Sequence, residues 1–171
     1  DAYDFTVRDT ASVTRLFFAD KSGNQVVLKR TEKGWKVNDK YDAQPVMVNN
    51  ILNTLDKMRI KMPVSLASHD NVITRMAGSN TKVEVYQIVP RINLFNKIKL
   101  FPHEKRTKVF YIGDITQDNN GTYVLKEGDK EIAQGRESAA ESYTFVRYLV
   151  ASNASYNNAV LNTIQQLSDK I

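Results

Sequence analysis

The stretch Val13-Thr-Arg-Leu-Phe-Phe-Ala-Asp-Lys-Ser-Gly-Asn-Gln-Val-Val-Leu-Lys-Arg-Thr-Glu-Lys-Gly-Trp-Lys-Val37 decides the fold of this chain. Its first six residues are β-branched and aromatic and read as a strand, and Asp20-Lys-Ser-Gly23 then supplies turn chemistry. Gln25-Val-Val-Leu-Lys-Arg30 reads as a second strand, Glu32-Lys-Gly34 as a second turn, and Trp35-Lys-Val37 as a third strand. Short strands joined by glycine-bearing turns make an antiparallel meander. Trp35 and Val37 alternate onto one face, so Trp35 is read as a core anchor.

Downstream, Pro45 stands where a helix begins, at a first-turn position that needs no backbone donor. Val48, Ile51, Leu52, Leu55 and Met58 recur at helical spacing, with Asn49, Asn53, Asp56 and Lys57 opposite, which predicts a helix over 45–59. Ile60-Lys-Met62 precedes Pro63 and is expected to be extended, because a residue before proline avoids the helical region. Asp70 to Gly78 reads as a short helix, with Ser68 as its cap and Gly78 as its stop. Val83–Tyr86, Lys108–Ile112 and Thr122–Leu125 read as strands, the last two separated by a turn-rich stretch ending Asn119-Asn-Gly121.

The expected fold class is therefore α+β: a mainly antiparallel sheet with a packed helix over 1–127, followed by a linker and helical C-terminal tail over 128–171. Gly128 to Gly135 is linker-like, and 137–151 has helical composition. Ser152-Asn-Ala-Ser155 interrupts it, and Tyr156, Val160, Ile164, Leu167 and Ile171 then form a helical stripe. These tail helices are expected to fold back on the sheet, with docking on a partner as the alternative.

A chain of 171 residues makes one domain, or one domain with an appendage, and buries enough surface to need no covalent staples. It has no cysteine, which excludes disulfides, thiolate nucleophiles and Cys-ligated zinc without locating the protein. No run approaches the 18 or so apolar residues of a membrane span, and no signal peptide is recognisable. The chain opens at Asp1 without an initiating Met, so a processed or trimmed piece is expected.

The net charge of +5 is unevenly spread. Arg91, Lys97, Lys99, Lys105, Arg106 and Lys108 stand against the single acid Glu104, a surplus equal to the whole excess. Phe95, Phe101 and Phe110 interleave with these cations, as do Ile92, Leu94, Ile98 and Leu100. The alternation suits a β-hairpin or extended loop packing on the sheet. Its plain reading is a solvated basic edge that blunts unwanted strand pairing. The functional readings are contact with a lipid headgroup surface, contact with a protein, and, least favoured, stacking on nucleic acid.

Catalytic and metal chemistry find little support. His69 and His103 lie far apart, without the HExxH-type spacing that puts ligands on one helical face, and both are read as surface residues. Asp114-Ile-Thr-Gln-Asp118-Asn-Asn-Gly121 lacks the alternating order and the closing Glu of a calcium loop, so it is read as a turn. There is no G-x-S-x-G elbow, P-loop or G-x-G-x-x-G. The carboxylate pairs Asp4/Asp9 and Glu137/Glu141 read as ordinary surface pairs. No catalytic residue, metal, cofactor or small-molecule ligand is assigned.

Several segments together resemble the opening of the domain-of-unknown-function 4340 family: Asp4-Phe-Thr-Val-Arg-Asp-Thr-Ala-Ser-Val-Thr14, Ala19-Asp-Lys-Ser-Gly-Asn24, Gly34-Trp-Lys-Val-Asn38, and Pro90 to Tyr123, above all Lys108 to Tyr123. The likeness covers residues 4–125. It implies a Bacteroidetes-type bacterial cell-envelope protein on the periplasmic side, tethered by an N-terminal membrane helix absent from this chain. Some relatives occur with gliding-motility or ABC-transport auxiliary proteins, and the resemblance carries over no catalytic residue. This chain departs from the pattern after Tyr123, where the helical tail replaces an expected strand and proline-glycine segment.

The expected function is a non-catalytic cell-envelope interaction domain, an accessory of a transport or gliding-motility type complex. Its partner would be an envelope protein or an anionic membrane surface, met through Arg91, Lys97, Lys99, Lys105, Arg106 and Lys108. The alternative is a ligand-binding or hydrolytic domain with a cleft between sheet and tail helices.

Overall fold

The meander forms as its turn chemistry requires. Strand β1 (Val13–Asp20) pairs antiparallel with β2 (Gln25–Thr31), and β2 pairs with β3 (Gly34–Val37). The Asp20 carboxylate closes the first turn by accepting the backbone N–H groups of Ser22 and Asn24, each at 2.9 Å, and the Asn24 side-chain amide at 2.8 Å. A short β4 (Tyr41–Asp42) follows a tight turn in which Asn38 and Asp39 both have positive φ, at 51° and 55°. Asn is one of the residues that tolerate this geometry. Asn38 is also stitched to β2: its N–H donates to the Val27 carbonyl and its Oδ1 accepts the Val27 N–H, both at 2.8 Å.

The computed structural model describes residues 6–58, 60–65, 67–117, 121–126 and 146–149. Among them, helix α1 (Pro45–Lys57) begins on its proline, and β5 (Ile60–Pro63) is the expected extended exit. Helix α2 (His69–Gly78) follows, then β6 (Thr81–Leu94), β7 (Ile98–Ile115), β8 (Thr122–Lys126) and β9 (Val146–Leu149). Ser68 precedes α2 but makes no side-chain cap bond, its hydroxyl instead accepting that of Ser65 at 3.0 Å.

The described strands form one antiparallel sheet in the order β4-β3-β2-β1-β6-β7-β8-β9-β5. The α+β class with a large antiparallel sheet and packed helices is thus present.

Register places the core on one face. Phe18 lies between Val26 and Val83, and Leu16 between Leu28 and Val85, with Phe110 opposite Val83. Val48, Ile51 and Leu55 of α1 close over this face, and Trp35 packs at its margin as the sequence suggested. The intervening side chains point the other way. There Val72 and Met76 of α2 pack with Tyr111, Tyr123 and Leu125, so the two helices cover opposite faces.

Gly113 lies directly beneath α2: a Cβ added there would meet Met76 Cγ at 3.0 Å. Gly113→Ala is expected to lose about 1 kcal/mol of stability through this overpacking. In a Met76→Ala background the penalty should vanish, a coupling that a double-mutant denaturation cycle reads directly.

Two expectations are corrected. Helical composition over 137–151 predicts helix, yet Val146–Leu149 is a strand hydrogen-bonded to β8 and β5. Pairing on both sides overrides the weak local preference of a short valine- and tyrosine-bearing segment. The sheet therefore draws in a strand from beyond Glu127. The rest of the expected tail helices, with Asp4, Glu137 and Glu141, lies outside the described residues.

The second correction concerns localisation. The longest described helix has 13 residues, and among the described residues none is long and apolar enough to cross a membrane. The expectation of a tethering membrane helix is corrected to this extent: no helix among the described residues can serve as one.

Candidate functional site

Strands β6 and β7 are much longer than their neighbours. Strand β1 accompanies β6 only as far as Gln87, and β8 accompanies β7 only from Phe110. Between those limits the two strands continue as a ribbon with no flanking strand among the described residues, paired through Leu94↔Ile98 at the tip. The free part of β6, residues 88–94, spans roughly 23 Å at about 3.3 Å per residue.

Facing residues in an antiparallel pair share a side, and successive residues alternate. One face of this arm carries Ile88, Pro90, Ile92 and Leu94 from β6 and Ile98, Leu100 and Pro102 from β7, with Glu104 opposite Ile88 at the root. Its five aliphatic residues are each 39–50% exposed. The hairpin expected here therefore exists, but it projects from the sheet instead of packing on it.

The opposite face carries Arg91, Lys99 and Lys105, and Lys97 sits in the tip turn. These four cations are exposed and form no ion pair among the described residues. Arg106 separates from them: it shares the other face and approaches Glu84 at 3.3 Å. Lys108 lies back within the sheet opposite Val85. The six basic residues singled out in the sequence are thus divided into four exposed cations without an ion pair among the described residues, Arg106 paired with Glu84, and Lys108 within the sheet.

His103, expected at the surface, is half-buried opposite Val89, with its Nδ1 enclosed and lacking a hydrogen-bond partner among the described residues. Asp114, at the start of the stretch read as a turn, pairs with Arg75 at 3.2 Å. Among the described residues no three His, Cys, Asp or Glu side chains gather as a metal-binding group.

The root of the arm is a polar joint that sequence reading missed. Arg15 donates to Glu104 at 2.7 Å and lies 3.9 Å from the centre of the Tyr86 ring. The Thr14 hydroxyl donates to the other Glu104 oxygen at 2.7 Å. The Tyr86 hydroxyl donates to Glu84 at 2.6 Å, and Lys82 reaches the same carboxylate at 3.2 Å. Burial pushes the Glu84 carboxyl up, but the Tyr86 hydrogen bond and the charges of Lys82 and Arg106 outweigh it and hold its pKa below the ordinary value. The same hydrogen bond, helped by burial, raises the Tyr86 phenol. These groups converge only through strand register, with irregularities at Val13/Arg15 and Val85/Tyr86 where the arm leaves the sheet. Such irregularities bend and twist a strand pair.

Two features of the arm run against local preference. The tip turn places Phe95 and Asn96 at φ of 52° and 57°, closed by a Lys97 N–H to Leu94 carbonyl bond of 3.0 Å. Asn suits this geometry, whereas for phenylalanine the left-handed region costs about 1–2 kcal/mol. Phe95 is also 91% exposed, the most exposed large apolar residue described. Phe101 repeats the combination, with φ of 57° and an exposed side chain.

Pro90 faces Pro102 across the ribbon. Neither has an N–H, so this must be a non-hydrogen-bonded pair, and the missing donors are the outward-facing ones on both edges. The arm is therefore poorly suited to accepting another strand, and recognition falls to its side chains.

Fold and surface together define a class: an α+β sheet domain that carries a projecting amphipathic β-arm. The chain matches no family model, no curated protein sequence and no solved structure.

Proposed function

We propose that this protein is an interaction domain, in which the sheet and its two helices hold the β6–β7 ribbon as a docking arm. One observation carries the reading: of the eight large apolar side chains most exposed among the described residues, seven lie on this ribbon and only Val46 lies elsewhere. Single exposed apolar residues are ordinary, whereas a contiguous set marks a contact surface. The strained, exposed Phe95 and Phe101 support the same reading, since strain without an internal compensating contact points toward function. The arm is assigned binding, not chemistry.

Photo-cross-linking in cells that produce the protein tests this. A photoreactive residue is introduced at Phe95, at Leu100 and, as a control, at exposed Lys33 on the β2–β3 turn. Covalent adducts are expected from the two arm positions and not from Lys33. Adducts absent from the arm, or no more abundant there than at Lys33, would refute the docking role.

A further inference from the structure

We infer that the arm's partner is an anionic lipid surface, a step that rests on the docking reading above and specifies its occupant. No acidic residue occurs between Glu84 and Glu104, and Glu104 at the root is paired with Arg15, so the ribbon beyond that root presents one sign of charge. Arg91, Lys97, Lys99 and Lys105 supply the cations, and Ile92, Leu94, Phe95, Ile98 and Leu100 supply an apolar tip. A lipid interface uses both properties at once: apolar side chains enter the headgroup and acyl boundary while cations meet anionic headgroups. The long stems of Lys and Arg allow their charges to reach that level from the opposite face.

Other occupants use only part of this surface. Nucleic acid would engage the cations and leave the aliphatic face in water. A second copy would bring two arms of like charge together. A partner that adds a strand is opposed by the Pro90–Pro102 pair. The ribbon's open edges also set the depth of entry, because unpaired backbone groups are costly in hydrocarbon. The arm therefore lies at the interface and does not span.

Co-sedimentation with vesicles tests the inference, using phosphatidylglycerol–phosphatidylcholine mixtures and pure phosphatidylcholine as control. The protein is expected to bind the anionic vesicles at low salt and to be released at high salt. Phe95→Asn keeps a residue suited to the tip turn and is expected to weaken binding about tenfold, the loss of one inserted aromatic side chain. Lys97→Gln with Lys99→Gln should weaken it by roughly 25-fold, at about fivefold per cation. Thermal unfolding of Phe95→Asn should remain at or above the parent value, which separates lost contact from lost fold. Absence of binding to anionic vesicles, equal binding to both vesicle types, or binding indifferent to these substitutions would each overturn the inference. If cross-links from Phe95 then led to protein, the docking role would stand and only the lipid assignment would fall.

Discussion

Phe18→Ala should destabilise the protein by about 3–5 kcal/mol, the usual cost of removing a buried phenylalanine and leaving a cavity. Phe18 is 1% exposed, lies between Val26 and Val83 in the sheet, and faces the core under α1. Total stability of a domain is about 5–15 kcal/mol, so one substitution removes a large share of it. At about 2–4 °C per kcal/mol the melting temperature would fall by roughly 6–20 °C. Neighbouring Phe17 supplies the control. It faces the opposite side, between Val27 and Glu84, and is only half-buried. Phe17→Ala should cost about 1–2 kcal/mol because less apolar surface is returned to water. Equal losses at both positions would contradict the assigned face of β1.

The same contrast explains what the sequence made legible. The meander was readable because its signals are local: Asp20 to Asn24 close one turn by themselves, and Gly34 opens the next strand at φ of 130°. Helix α1 was readable because Val48, Ile51 and Leu55 repeat at one helical spacing and all reach the core. By contrast, the alternation of Val83–Tyr86 reads only as a short strand. The strand continues to Leu94 because Pro90 faces Pro102 at a position where no ladder bond is required.

The candidate site was half legible. Its cations stand out as a cluster, but their division between faces depends on pairing, and a bulge beside Arg106 sends the chain back into the sheet in a different phase. The polar joint was not legible, because Arg15, Glu84 and Glu104 are far apart along the chain and meet only through register. Strand β9 was misread for a related reason. Its partners, Thr122–Leu125 and Ile60–Pro63, exert no influence that local composition can register.

The joint also connects the fold to the proposed function. A two-stranded ribbon alone is marginally stable in water. This one is held at its root by Arg15 and Thr14 of β1 gripping Glu104, and by Glu84 gathering Tyr86, Lys82 and Arg106. Thr107 adds a hydroxyl bond to Gln87, whose amide in turn donates to Ser12. Side-chain bonds at the root thus carry the arm's direction, leaving the distal residues free to present apolar and basic groups without internal partners.

Glu84→Ala is the sharpest test of that joint, with an expected cost of about 2–3 kcal/mol. Glu84 is 8% exposed, and its removal leaves the Tyr86 hydroxyl without its 2.6 Å acceptor and both cations without their shared anion. Lys82 and Arg106 retain access to water, which keeps the loss below that of a fully buried pair. The pH dependence distinguishes this role from simple packing. Because the folded Glu84 pKa is depressed, its contribution is present above the ordinary glutamate value of about 4.3 and is lost as pH falls through the folded value. Because the folded Tyr86 pKa is raised, its contribution is present below about 10 and is lost as pH rises through the folded value. Chemical denaturation across pH should therefore show Glu84→Ala flattening both the acid and the alkaline limbs of the stability curve. Tyr86→Phe should remove the phenol's own contribution to the alkaline limb and also shrink the acid limb, since its hydrogen bond is the largest cause holding the Glu84 pKa down, while Lys82 and Arg106 retain part of that effect. An acid limb unchanged by Glu84→Ala would mean that another depressed carboxylate, such as Asp20 in the first turn, carries it and that the joint does not.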